Sequence, residues 1–291
     1  MKANAFRLMD SVPFGGALYP LLQRCVTGRY YRNLALLEKT AAPYLRHMDA
    51  CLRHGVDPAR SVYLEFGAGS DLFGNLIAYC CGVPRQIVVD VRPLVQRDQV
   101  NHVIKFLRDH ELAGLVRRPT RTLQGDVVEE LQEHYGIQYL APAALESVAA
   151  SRAIDVIAST STLEHLEPAK LEATMRQCHR LIREDGIVSM IVYYDDHYAH
   201  TDPSIGPYNF LRFSRRRWAA YSPPSHFQNR LRHCDYARMF RRAGFEILFE
   251  KSFAPASYDA LLRSVELADE FRGYAFDELR PVYGEFVLKK A

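Results

Sequence analysis

The chain has 291 residues, 48% hydrophobic and 24% charged, with a net charge of +3. That balance excludes a disordered chain and leaves ample apolar material for a core. The small charge offers no global field for nucleic acid or a membrane surface, and no run of 18 apolar residues or signal-peptide pattern is present. Six cysteines without C-x-x-C spacing read as free thiols and point to a reducing, cytoplasmic location.

Residues 1–60 carry apolar and aromatic side chains at helical spacing (Tyr30, Tyr31, Leu34, Leu37, Tyr44, Leu45) and are expected to form a helical cap segment. From 61 to 291 strand-like and helix-like runs alternate. Val62–Phe66 predicts a buried strand and Asp71–Cys81 a helix. Gln86–Asp90 predicts a second strand ending in an acid, and Leu94–Leu112 has helical spacing. Ile137–Leu140 and Ile154–Ser159 are further strands. Pro168–Ile182 suits a helix that stops near Gly186, followed by a nearly all-apolar strand, Ile187–Tyr194. An irregular stretch, 195–234, precedes a helix (Asp235–Ala243) and strands Phe245–Phe249 and Gly284–Leu288. Such alternation predicts a doubly wound α/β fold, mostly parallel, with a late antiparallel strand.

In such sheets, ligands sit beyond the C-terminal strand ends. The first strand–helix turn, "LEFGAGSDLFG", carries Gly67 and Gly69. A dinucleotide fingerprint wants a third glycine where Leu72 stands, and the P-loop lysine is absent. Glu65 and Asp71 put negative charge around the turn, which disfavours a pyrophosphate and suits a cationic ligand. Asp90 ends the second strand 21 positions after Gly69 (90 − 69), where a carboxylate can accept two ribose hydroxyls. S-Adenosylmethionine has an ammonium, a sulfonium and a ribose diol, and no phosphate.

On these residues the chain resembles the class I S-adenosylmethionine-dependent methyltransferases. "LEFGAGS" is similar to their first motif and "IVVDV" to their ribose-binding strand. "IDVIASTSTLEHLEP" resembles the fourth strand and its loop, "LIREDGIVSMIVYY" the following helix, turn and strand, and "MFRRAGFEI" the approach to the sixth strand. The resemblance spans roughly residues 60–290 and implies a seven-stranded sheet. It also implies that Glu65, Gly67 and Gly69 surround the methionine part of the cofactor, that Asp90 holds the ribose, and that Ser159 lies near it. Asp71 replaces the third glycine of the motif. The acid that often meets the adenine after the third strand is missing, and Ala143 and Ala144 stand there. Asp126 would serve only if the third strand came earlier.

The second substrate is expected at the loops after the fourth and fifth strands. Residues 195–234 read as a lid insertion, since a stretch this long and this aromatic is functional rather than disordered. Asp195, Asp196, His197, His200 and Asp202 crowd its start. His200, and next His197, are the candidate bases for an acceptor hydroxyl, with Asp202 orienting the ring. Asp195, Tyr208, Arg230 and His233 are candidate acceptor-binding residues, and Arg232 is a second guanidinium able to fork onto an anionic acceptor. His165 is read as packing near the cofactor or capping the next helix. No metal is assigned, and a divalent ion among the carboxylates and histidines of the lid stays an alternative.

The reading is thus a methyltransferase for a small or medium polar acceptor, with a hydroxyl oxygen of a sugar or secondary metabolite favoured. Nucleic acid and membrane partners are not expected, and oligomer formation is left open. Two rivals remain at this point: cyclisation or elimination of the cofactor's aminobutyrate arm, and a non-catalytic S-adenosylmethionine-binding protein.

Overall fold

A computed structural model describes residues 30–148, 154–202 and 204–291. Cys25, the cap segment before Tyr30, and Pro203 lie outside the described residues. Helix α1 (Leu34–Arg53) precedes strand β1 (Val62–Phe66), α2 (Phe73–Cys80), β2 (Arg85–Val89), α3 (Arg97–Asp109), α4 (Val127–Tyr135) and β3 (Ile137–Leu140). Then come β4 (Ile154–Thr160), α5 (Pro168–Leu181) and β5 (Ile182–Tyr193). Short α6 (Arg215–Ala219), α7 (His233–Arg242), β6 (Phe245–Phe253), α8 (Asp259–Arg263), α9 (Phe276–Leu279) and β7 (Tyr283–Lys290) complete the chain.

The seven strands form one sheet in the order β3-β2-β1-β4-β5-β7-β6, with β7 antiparallel to both neighbours. The order reverses between β1 and β4, so the C-terminal ends of those two strands open the crevice where a ligand fits. Alternation along β1 divides the core. Leu64 and Phe66 face α5 and α7, whose Leu171, Met175, Tyr236 and Phe240 are buried there. Tyr63 faces Met48 and Cys51 of α1, and α2 and α3 extend that layer over β2 and β3. Buried apolar groups on both faces explain why the central strands read as nearly continuous apolar runs.

The expected boundary between α5 and β5 is corrected. No loop intervenes: Ile182 already pairs with Ile154, and the register then shifts so that Val156 meets Ile187. The four residues between bulge outward. Gly186 permits this, because a Cβ there would lie 2.8 Å from the Asp155 carbonyl oxygen.

The 195–234 insertion is also more ordered than expected. It contains α6 and three 3₁₀ turns and packs on the β6–β7 connection. Tyr208, Phe210, Leu211 and Trp218 of the insertion share a core with Leu262, Phe271 and Leu279 of that connection. The insertion and the β6–β7 connection therefore pack as one unit.

Candidate active site

The β1–α2 turn is shaped by its glycines. Gly67 and Gly69 have φ of 74° and 79°, a region that side chains disfavour. A Cβ on Gly67 would lie 2.3 Å from Thr162 Oγ1, whereas one on Gly69 would meet nothing within 4 Å. The Gly69 backbone thus borders open space. Thr162 closes the other side of the turn by donating to the Gly67 carbonyl at 3.3 Å.

Two acids flank this turn. Glu65 is 1% exposed and its Oε2 has no hydrogen-bond partner. Burial, reinforced by Asp90 and Asp71, pushes its carboxyl up to about 8. Asp90 is 4% exposed with Oδ2 also unpartnered. Burial pushes it up to about 7, offset in part by Tyr139 and the Gly67 backbone. Two buried carboxylate oxygens without donors are costly alone. A ligand bringing an ammonium and hydroxyl donors completes both, so the residues fit S-adenosylmethionine.

Sequence reasoning missed two residues here. Arg32 pairs with Asp71 at 2.9 Å, which removes Asp71 from the charges open to a ligand. Tyr44 of α1 packs over the turn, because Gly74 leaves room for it: a Cβ at Gly74 would come within 2.6 Å of its ring and 3.2 Å of Glu65 Oε1. The only signal for either was the aromatic and basic content of the cap segment.

Ser159 is fully buried and donates to the Phe66 carbonyl at 3.2 Å, tying β4 to β1 behind the crevice. Ala144 is exposed just after β3, and the neighbouring Ala143 N–H donates to the Asp90 carbonyl at 2.9 Å. Asp126 is excluded from the adenine position, since it caps α4 and β3 starts after that helix.

Across the crevice the loops after β4 and β5 bring Glu164, His165, His197, His200 and Asp195 together. The ring centroids of His165 and His197 are 5.0 Å apart, and those of His197 and His200 5.2 Å. His200 Nε2 lies 2.5 Å from Asp195 Oδ2. Asp195, not Asp202, therefore orients this imidazole; Asp202 accepts from Ser204 instead. Burial, followed by the neighbouring His165, holds His197 well below the usual imidazole range, so it is neutral. Asp196 caps the turn at His197, accepting from Tyr198 N–H and Asn209.

The lid holds this wall in place. Asn229 donates to the Leu163 and Leu166 carbonyls, each at 2.9 Å, and its own N–H reaches the Glu164 carbonyl. Gln228 bridges the Asp195 carbonyl and the His197 N–H.

Three of the expected acceptor-binding residues are occupied elsewhere. The Arg230 guanidinium donates to the Phe210 and Phe213 carbonyls and pairs with Glu270 of the β6–β7 connection. Tyr208 is 1% exposed and donates to the Arg280 carbonyl at 2.5 Å. His233 lies between Tyr194 Oη and Glu250 and stacks on Phe286 at 4.4 Å. Arg232, fully buried, donates to the carbonyls of Tyr194, Leu279 and Pro281. These groups brace the insertion and the strands beside it; Asp195 alone of the four candidates stands beside the histidine cluster. A separate cleft of about 200 Å³, bordered by Arg46, Asp49, Arg53 and Lys251, lies between α1 and the β5–β7–β6 edge and includes none of the cofactor-turn residues.

Among the described residues, no helix is long and apolar enough to cross a membrane. A search of curated proteins finds no match. Among solved structures, the chain is similar to geranyl diphosphate C-methyltransferase from Streptomyces coelicolor A3(2), in complex with Mg²⁺, geranyl diphosphate and S-adenosyl-L-homocysteine. Identity is 12%, coverage is 88% of this chain and 80% of that one, and the TM-score is 0.51. It is also similar to the 1,6-didemethyltoxoflavin-N1-methyltransferase of Burkholderia thailandensis, at 12% identity over 86% of this chain and 79% of that one, TM-score 0.44. The family described as "Methyltransferase domain" matches residues 36–249. The fold, the cofactor turn and that match agree: the chain belongs to this methyltransferase family, with S-adenosylmethionine as its cofactor.

Proposed function

We propose that the protein transfers the methyl group to a hydroxyl oxygen of a small polar acceptor, a sugar or secondary metabolite, in a cytoplasmic setting. The observation that carries the reading is two polar groups in the loops at the C-terminal strand ends. Glu65 and Asp90, each with an unpartnered buried oxygen, form the first. The His200–Asp195 pair, in the loop after β5, is the second, with His200 exposed.

Bound S-adenosylmethionine supplies a methyl group on a sulfonium, open to attack by an oxygen lone pair, with the bonding electrons returning to sulfur. In the proposed assignment Glu65 meets the ammonium, the Gly67 and Gly69 backbone borders the methionine arm, and Asp90 accepts from the ribose. Ala144 lies beside the adenine, while Ser159 supports the turn from behind. His200 takes the acceptor's proton, and Asp195 orients its ring. The carboxylate stabilises the imidazolium that results, and the lid excludes competing water.

The test is mass spectrometry of cofactor products after incubation with a metabolite extract. S-Adenosylhomocysteine with a methylated acceptor is the expected product. Methylthioadenosine would instead indicate attack on the aminobutyrate arm, and binding without turnover a non-catalytic role. With an acceptor in hand, His200→Gln should slow single turnover by about 10²–10⁴. An unchanged rate would move the proton acceptor to another group.

A further inference from the structure

We propose that Glu164, His165 and His197 form a binding site for one divalent first-row transition-metal ion, placed to hold the acceptor's oxygen beside the cofactor. The inference rests on the methyl-transfer reading for its role, and on geometry for the site itself.

The three residues come from two loops, after β4 and after β5. Each offers a ligand atom, and these atoms lie within 4.8 Å of one another. Ligands bonded at about 2.1 Å to one ion stand roughly 3–3.5 Å apart, so the set must draw together by about an ångström on binding. Two imidazoles and one carboxylate select a transition metal such as Zn²⁺, Mn²⁺, Co²⁺ or Fe²⁺ over Mg²⁺ or Ca²⁺, which prefer oxygen ligands.

Glu164 supplies an independent observation. It is 1% exposed, yet neither carboxylate oxygen has a side-chain hydrogen-bond partner. Among the described residues no lysine or arginine pairs with it; burial is offset only by the backbone at Glu164 and Tyr193, and the nearby Asp195 adds like charge. A cation is what this position lacks.

His165 is prepared in its tautomer. Its Nδ1 lies 2.8 Å from the Phe227 carbonyl oxygen. A carbonyl can only accept, so Nδ1 carries the proton and Nε2 presents its lone pair to the cluster. That is the second-shell arrangement metal-binding histidines commonly have. Asn229 braces the loop that bears Glu164 and His165, and Gln228 braces His197 through its backbone N–H.

Of the lid carboxylates and histidines that the sequence suggested for a metal, only His197 belongs to this set; Asp196 and Asp202 are spent on turns. Three protein ligands leave open positions for an acceptor hydroxyl. A divalent ion there lowers the pKa of that hydroxyl, as it does for bound water. His197 thus acts as a ligand, and the His200–Asp195 pair remains as proton acceptor.

The full chain, dialysed against chelator, is titrated with Co²⁺ and Zn²⁺. We expect one equivalent of Co²⁺ to bind with visible absorption of a nitrogen–oxygen site, displaced by Zn²⁺. His165→Gln and His197→Gln should each weaken uptake by about tenfold or more while S-adenosylhomocysteine still binds. Glu164→Gln, isosteric and buried, should do the same. No uptake by the wild-type chain, or uptake that survives both histidine substitutions, would overturn the site. If the chelated protein still methylates at full rate, the ion's role falls and the methyltransferase reading stands. Failure of the wild-type chain to bind S-adenosylhomocysteine would sink that reading without touching the metal result.

Discussion

The cofactor wall and the lid treat buried polar groups in opposite ways. Glu65 and Asp90 each keep an unpartnered oxygen out of water. Arg230 and Tyr208, equally rich in polar atoms, direct theirs to carbonyls and an acid of the insertion and the β6–β7 connection, and His233 directs its ring to Tyr194 and to Glu250 of β6. Paired groups of this kind hold architecture, because removing one leaves its partner orphaned. Unpaired oxygens that border the crevice leave a place for a ligand to complete them. Substitutions on the two sides should therefore separate: one set should lose ligand binding with little change in fold, the other should lose stability with little change in binding.

The largest binding effect should come from Gly67→Val. Its Cβ would stand 2.3 Å from Thr162 Oγ1 at a φ of 74°, where β-branched residues are strained. Calorimetry should show S-adenosylhomocysteine affinity reduced by roughly a hundredfold or more, with the folded circular dichroism spectrum retained. Binding within a few fold of wild type would mean that the turn lies apart from the cofactor.

On the lid, Arg230→Ala should cost about 2–3 kcal/mol of stability, since it strips charged donors from two carbonyls and from Glu270. Thermal or denaturant unfolding measures the loss, and cofactor affinity should stay unchanged. Arg230 was a reasonable acceptor candidate from its basic neighbourhood. Nothing in the sequence shows that Phe210, Phe213 and Glu270 converge on it, because Glu270 belongs to the β6–β7 connection. That segment was illegible for a physical reason. Its helices α8 and α9 span five and four residues, too short to display a period, and their apolar residues find partners only across the chain.

The cofactor wall was legible because its parts are contiguous. Glu65, Gly67, Gly69 and Asp90 fall within β1, the turn after it and the end of β2, where strand, turn and strand each leave a local signature. The sheet was legible likewise, apart from the β5 bulge. The histidine cluster joins loops more than thirty residues apart, so His165 read as packing or helix capping and Asp195 was passed over as the partner of His200. Tyr44 and Arg32 reach the turn from a segment whose sequence suggests helices and no more.

Asp90→Ala sharpens the comparison on the binding side. Removing the carboxylate proposed to accept from the ribose hydroxyls should weaken S-adenosylhomocysteine binding by about 1.5–3 kcal/mol. Because the free-state carboxylate is buried and raised to about 7, the variant should unfold no more easily than wild type at pH 8. An affinity loss accompanied by an equal loss of stability would place Asp90 among the architectural groups.

The last effect is a pH dependence carried by Glu65. Its folded carboxyl, in the absence of ligand, lies near 8 against an ordinary value of 4.5, with burial as the main cause. Between those values the folded state holds a proton that the unfolded chain has released. Stability of the ligand-free protein from this group therefore falls as pH rises through that window and levels off above 8. Asp90, raised to about 7, acts in the same direction. A cationic ligand reverses the preference, since the ammonium favours the charged carboxylate. Binding must then release a proton below pH 8, and affinity should increase with pH by up to about tenfold per unit between 6 and 8. Calorimetry in buffers of differing ionisation enthalpy counts the protons, and Glu65→Gln should flatten the profile. Affinity independent of pH in the wild-type chain would show that Glu65 is already charged without ligand, and that its partner is one the fold supplies.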